Sequence, residues 1–142
     1  MTKSILVAED NPADVYLIQR ALSEQGINRA VQVSRDGRDA MQMISREGPY
    51  VDRDDLALII LDLNLPRHDG LEILERVRAT DELADVPVVV LTSSDSPQDR
   101  LMASQLGATC YLRKPVSLEQ FLSLGAVFKQ LLDQAKERAT GV

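Results

Sequence analysis

Five short apolar runs recur along the chain, at Ser4–Ala8, Val31–Ser34, Leu56–Leu61, 88–91 and 109–112, and between them the apolar residues fall at helical spacing. This alternation restricts the fold more than any other feature. Strands separated by amphipathic helices pair in parallel and need a helical layer on each face of the sheet, so an α/β architecture of five strand–helix units is predicted. The third and fourth runs are apolar throughout and are expected inside the sheet. A length of 142 residues suits one domain over 1–142, with a core that needs no disulfide or structural metal.

Helix starts are marked by chemistry. Asn11-Pro12 and Ser96-Pro97 each place a capping side chain ahead of a proline suited to the first turn, and Asp36 and Ser117 supply further caps. Gly26 and Gly107 fall where left-handed residues close helices. Two segments exceed the repeat. Residues 48–55 form an inserted acidic loop, expected to be a solvated surface feature. The last helix, over about 118–138, carries Leu118, Phe121, Leu122, Phe128 and Leu132 on one stripe. Leu124, Val127, Leu131 and Ala135 widen that stripe to roughly 220° of arc, either for deep burial in the same domain or for a dimer or partner contact.

The charge balance excludes several classes of partner. A net charge of −6 with no basic stripe opposes direct nucleic-acid binding. No run of ~18 apolar residues is present to span a membrane, and the apolar N-terminal run stops at Glu9-Asp10, too early for a secretory leader. Cys110, the single cysteine, can form neither an intrachain disulfide nor a thiolate zinc site, as expected of a cytoplasmic protein. It reads as a small buried hydrophobe, and His68, the only histidine, as an ordinary exposed residue.

In an open α/β sheet, ligands bind beyond the carboxyl ends of the strands. That edge should collect Glu9 and Asp10 after the first strand, Asp62 after the third, Thr92 and Ser93 after the fourth, and Arg113, Lys114 and Pro115 after the fifth. Three neighbouring carboxylates repel one another unless a cation lies among them, and Mg²⁺ (or Mn²⁺) with its preference for oxygen ligands meets that need. Asp10 and Asp62 can ligate it directly while Glu9 holds a coordinated water. A carboxylate at a strand end can also attack phosphorus to form an acyl phosphate. Lys114 then offers a positive charge to the phosphoryl oxygens and Thr92 a hydroxyl. Taken singly, each of these residues has an ordinary role as cap, turn former or solvated charge; their joint order after strands one, three, four and five is the informative feature.

These residues resemble the receiver domains of two-component response regulators, and the resemblance covers nearly the whole chain. It implies a flavodoxin-like (βα)5 receiver fold with strand order 2-1-3-4-5 and no output domain. It makes Asp62 the phosphoacceptor, Glu9 and Asp10 the acidic metal pair, and Asn64 the residue whose backbone carbonyl completes the metal shell. Thr92 and Lys114 become the switch hydroxyl and lysine, with Ser93 beside them in the phosphoryl site. Tyr111 is similar to the aromatic rotamer switch, Lys114-Pro115 to a pair joined by a cis bond, and Gly70 stands in the glycine place of the turn after the acceptor. The implied partners are a sensor histidine kinase and a downstream phosphotransfer protein or effector. The implied activity is phosphoryl acceptance with slow self-dephosphorylation, not metabolic turnover. Within the family, Leu61-Asp62-Leu63-Asn64-Leu65-Pro66, the inserted loop and the missing output domain resemble the regulators paired with phytochrome kinases. Arg67-His68 departs from the smaller or apolar residues frequent there.

Two other activities on related folds fit less well. A dehalogenase-type phosphatase needs a general acid where Asn64 stands. A flavin module needs a phosphate-binding nest where Glu9-Asp10-Asn11 presents carboxylates.

Overall fold

The computed structural model describes residues 3–141, with side chains through residue 135. Its strands are β1 (Ser4–Ala8), β2 (Val31–Ser34), β3 (Leu56–Leu61), β4 (Val88–Thr92) and β5 (Cys110–Arg113). They form one parallel sheet in the order β2-β1-β3-β4-β5. The helices are α1 (Pro12–Glu24), α2 (Gly37–Ser45), α3 (Gly70–Ala79), α4 (Pro97–Gln105), α5 (Leu118–Ser123) and α6 (Gly125–Gly141). This is the predicted flavodoxin-like arrangement.

Strand period explains the two cores. Leu6, Ala8, Ile59, Leu61, Val88 and Val90 point to one face and pack with residues of α2, α3 and α4. Ile5, Val7, Leu58, Ile60, Val89 and Leu91 point to the other and pack with α1, α5 and α6. The three interior strands are therefore apolar on both faces, and β1 joins β3 and β4 among them. Helix ends follow the sequence signals. Asn11, Asp36, Ser96 and Ser117 all accept from backbone amides of the first turn, and Gly26 and Gly107 take φ of +70° and +96°.

Three expectations change. The single last helix is two, parted at Leu124, and just beyond the parting α1 approaches so closely that a Cβ on Gly125 would collide with the Ala21 carbonyl oxygen. Phe128 is fully buried, and Leu124 and Leu131 pack against the chain's own core, which accounts for much of the wide apolar arc; all four residues of the candidate dimer face are half-buried. The 48–55 loop is not simply solvated. The Arg53 side chain is only 3% exposed and donates to the carbonyls of Met43, Ile44 and Asp54 and to Glu82, while Tyr50 donates its hydroxyl to Asp39. Finally, Lys114-Pro115 is trans, not the implied cis bond. Among the described residues, no helix is long and apolar enough to cross a membrane.

Candidate functional site

The sheet's hydrogen-bond ladder runs one residue past β1, β3 and β5 and fixes Glu9, Asp62 and Lys114. The Glu9 amide donates to the Ser34 carbonyl at 2.9 Å, and the Asp62 amide to the Ala8 carbonyl at 3.0 Å. Lys114 is held likewise, its amide donating to the Thr92 carbonyl at 2.7 Å. Apolar strands thereby drive Glu9 and Asp62 to the rim, where both side chains remain buried. Asp10, one residue further from the sheet, is exposed. Carboxylate oxygens of Glu9, Asp10 and Asp62 all lie within 4.8 Å of one another.

Asp62 is set up as an anion. Burial works to raise its pKa, but the Asn64 amide on Oδ1 at 3.0 Å, the Lys114 ammonium on Oδ2 at 2.7 Å and the Thr92 hydroxyl outweigh it and hold the carboxyl below its usual range. Glu9 differs. Burial pushes its pKa up to about 7 against the pull of Lys114 and the Asn11 amide, with the Asp62 charge adding to the rise. Lys114 Nζ lies 2.6 Å from Glu9 Oε1, yet no hydrogen bond is aligned on that oxygen, so the contact is a charge pairing and Oε1 remains an orphaned buried acceptor. An orphaned carboxylate oxygen facing two further acids is what a hard divalent cation satisfies; the donor set, all oxygen, fits Mg²⁺ or Mn²⁺.

Thr92 is fully buried, and its Oγ1 accepts from Asn64 Nδ2 and from the Ser94 amide, each at 3.4 Å. Ser93 is exposed, so Ser94 is the serine that closes on Thr92; Ser94 Oγ in turn donates to Asp99 at 2.7 Å. Tyr111 is half-buried under the Arg100 guanidinium, 4.6 Å from its ring centroid, with its hydroxyl directed to the loop after β4. On the far side of Asp62, the 65–69 turn rests on α2. The Gly37 amide donates to the Pro66 carbonyl at 2.7 Å, and a Cβ on Gly37 would meet His68.

Asp14 joins the site without having stood out in the sequence. Its Oδ2 accepts from Lys114 Nζ at 2.8 Å, making it one of the two aligned partners of that ammonium. Burial works to lower the Lys114 pKa, but the hydrogen bonds it donates to Asp14 and Asp62 and the Glu9 carboxylate beside it raise it overall. The sequence signal for Asp14 is only its place in the first turn of α1, one helical step beyond Glu9-Asp10, where an acid is also expected for the helix dipole.

Residues 5–124 match the family described as the response regulator receiver domain. The response regulator Rcp1 of Synechocystis is 37% identical over 122 residues, covering 86% of this chain and 83% of that protein. MprA of Mycobacterium tuberculosis is 37% identical over 87% of this chain but only 49% of its own length. Among solved structures, the phosphorylated cyanobacterial phytochrome response regulator RcpA superposes with a TM-score of 0.86 at 36% identity, covering 93% of this chain and 94% of that one. The Mn²⁺-bound form of Rcp1 gives 0.83 at 35% identity, over 90% and 92%.

Proposed function

The chain belongs to the response regulator receiver domain family, and from that premise we propose that Asp62 accepts a phosphoryl group from a sensor histidine kinase. Divalent cation chemistry assists the transfer, and the signal passes on by protein contacts in the cytoplasm. The observation that carries this reading is the state of Asp62: 4% exposed, held ionised by the Asn64 amide and the Lys114 ammonium, with oxygens of Glu9 and Asp10 beside it. In the transfer, the phosphorus–nitrogen bond of a phosphohistidine breaks, its electron pair stays on the imidazole, and a carboxylate oxygen of Asp62 forms the new bond to phosphorus.

Glu9, Asp10 and Asp62 would hold Mg²⁺ or Mn²⁺, with the Asn64 carbonyl completing the shell; when bound, the cation neutralises charge on the phosphoryl oxygens. Lys114 supplies the second positive charge. Thr92 donates its hydroxyl to the phosphoryl group and Ser93 lines its approach. Tyr111 turns behind Thr92, a population shift driven by interactions that only the phosphorylated arrangement makes. Asn64 and Ser94 flank the path of the water that resets the switch.

The RcpA and Rcp1 relatives favour a phytochrome as the kinase. Downstream, a phosphotransfer protein or effector receives the signal. The apolar residues Leu124, Val127, Leu131 and Ala135, all half-buried, support a homodimer through α6, tested by sedimentation of wild type against Val127→Asp.

Intact mass after incubation with phosphoramidate and Mg²⁺ tests the acceptor. Wild type should gain one phosphoryl group and Asp62→Asn none; an unmodified wild type would defeat the reading.

A further inference from the structure

Asp14 has a role that an ordinary helix-start acid does not need. Its backbone amide donates to Asn11 Oδ1 at 3.3 Å, as expected of a first-turn residue. A carboxylate that only complements the helix dipole is satisfied facing water. This one is 19% exposed and reaches across 100 residues of chain to Lys114 Nζ at 2.8 Å. The ammonium, itself 13% exposed, therefore spans from α1 to the acceptor, with one aligned hydrogen bond to Asp14 and one to Asp62 Oδ2.

Two cations must share this patch, the ammonium and a divalent metal ion. The oxygens they share are those of Glu9 and Asp62. Without Asp14, Lys114 would draw its compensating charge wholly from the oxygens a cation requires, and its long stem would lose its second anchor.

We propose that Asp14 is a positioning residue for phosphoryl acceptance: it fixes the Lys114 ammonium against Asp62 and supplies part of its compensating charge, which the cation-binding oxygens of Glu9 and Asp62 would otherwise supply alone. This rests on the receiver reading above.

Asp14→Asn keeps the side chain's shape and removes only its charge. Mn²⁺ binding to the unphosphorylated variant, followed by the paramagnetic resonance of free Mn²⁺, is expected to weaken about tenfold. Phosphoramidate labelling should slow to a similar degree at low Mg²⁺ and recover in part at high Mg²⁺. In proton–nitrogen correlation spectra, the Lys114 ammonium signal, identified by its loss in Lys114→Arg, should be sharp in wild type and broadened in Asp14→Asn. Asp14→Glu should recover part of the Mn²⁺ affinity.

A role confined to the helix dipole predicts another pattern: a lower melting temperature for Asp14→Asn in metal-free buffer, with unchanged Mn²⁺ affinity and ammonium signal. That result overturns the proposal. Should Asp14→Asn not fold, the wild-type spectrum decides alone, since a folded protein without a protected Lys114 ammonium also overturns it. Wild type that gains no phosphoryl mass defeats the receiver reading itself, whereas wild type that gains it beside an unaltered Asp14→Asn defeats only this inference.

Discussion

Tyr111 donates its hydroxyl to the backbone carbonyl of Ser94 at 3.1 Å, tying the ring on β5 to the loop that leaves β4. The same loop carries the Ser94 amide to Thr92 Oγ1 and the Ser94 hydroxyl to Asp99. Tyr111→Phe should keep the packing against the core and the Arg100 contact while releasing that carbonyl, at a cost of about 1 kcal/mol. Amide exchange at residues 94–96 should quicken, and denaturant melts with exchange mass spectrometry check both effects.

Divalent cation binding should stabilise the folded chain. At 100 times its dissociation constant, Mg²⁺ should add about 2.7 kcal/mol, and chelation should remove it. Asp10→Asn should lose most of this gain with little change in metal-free stability, because Asp10 is exposed and its replacement disturbs no core contact. Thermal melts with and without Mg²⁺ make the comparison.

Tyr50 gives a pH signature for the inserted segment. Its hydrogen bond to Asp39, then burial and the nearby acidic charges, push its pKa up to about 12 from 10.0. The fold thus favours the protonated phenol. The resulting stabilisation is complete below pH 10 and is lost as pH rises through about 12. Alkaline titration of phenolate absorbance should show a late-titrating component that is absent in Tyr50→Phe.

Gly70 admits no side chain. A Cβ there would sit 2.5 Å from Leu63 Cα and 2.8 Å from the Asp62 carbonyl oxygen, both backbone atoms of the acceptor segment. Gly70→Ala should cost about 2–3 kcal/mol through overpacking, and it should slow phosphoramidate labelling of Asp62 because the acceptor's own backbone must shift. Chemical denaturation and labelling kinetics test the pair of effects.

Much of this fold was legible because local signals agreed with one another. β1, β2 and β3 lie where their apolar runs do, and four helix caps do what Asn11, Asp36, Ser96 and Ser117 predict. The convergence of Glu9, Asp10 and Asp62 followed from strand-end geometry alone. Long-range pairings were not legible. Nothing near Asp14 points to Lys114, one hundred residues away, and nothing in 48–55 reveals that Arg53 turns inward to carbonyls of α2. Nor does a helical period show where a neighbouring helix leaves no room for a side chain, as the Ala21 carbonyl does at Gly125. Arg46 and Arg67 adopt φ of 54° and 79° without the glycine that would have advertised those turns.

The first turn of α2 has two tenants. Gly37 carries the turn that follows the acceptor, through Pro66, while Asp39, two residues on, receives Tyr50 from the inserted segment. Lengthening or trimming residues 48–55 would therefore re-seat the footing on which the turn after Asp62 stands. A stretch that looks like surface ornament is mechanically in series with the chemistry.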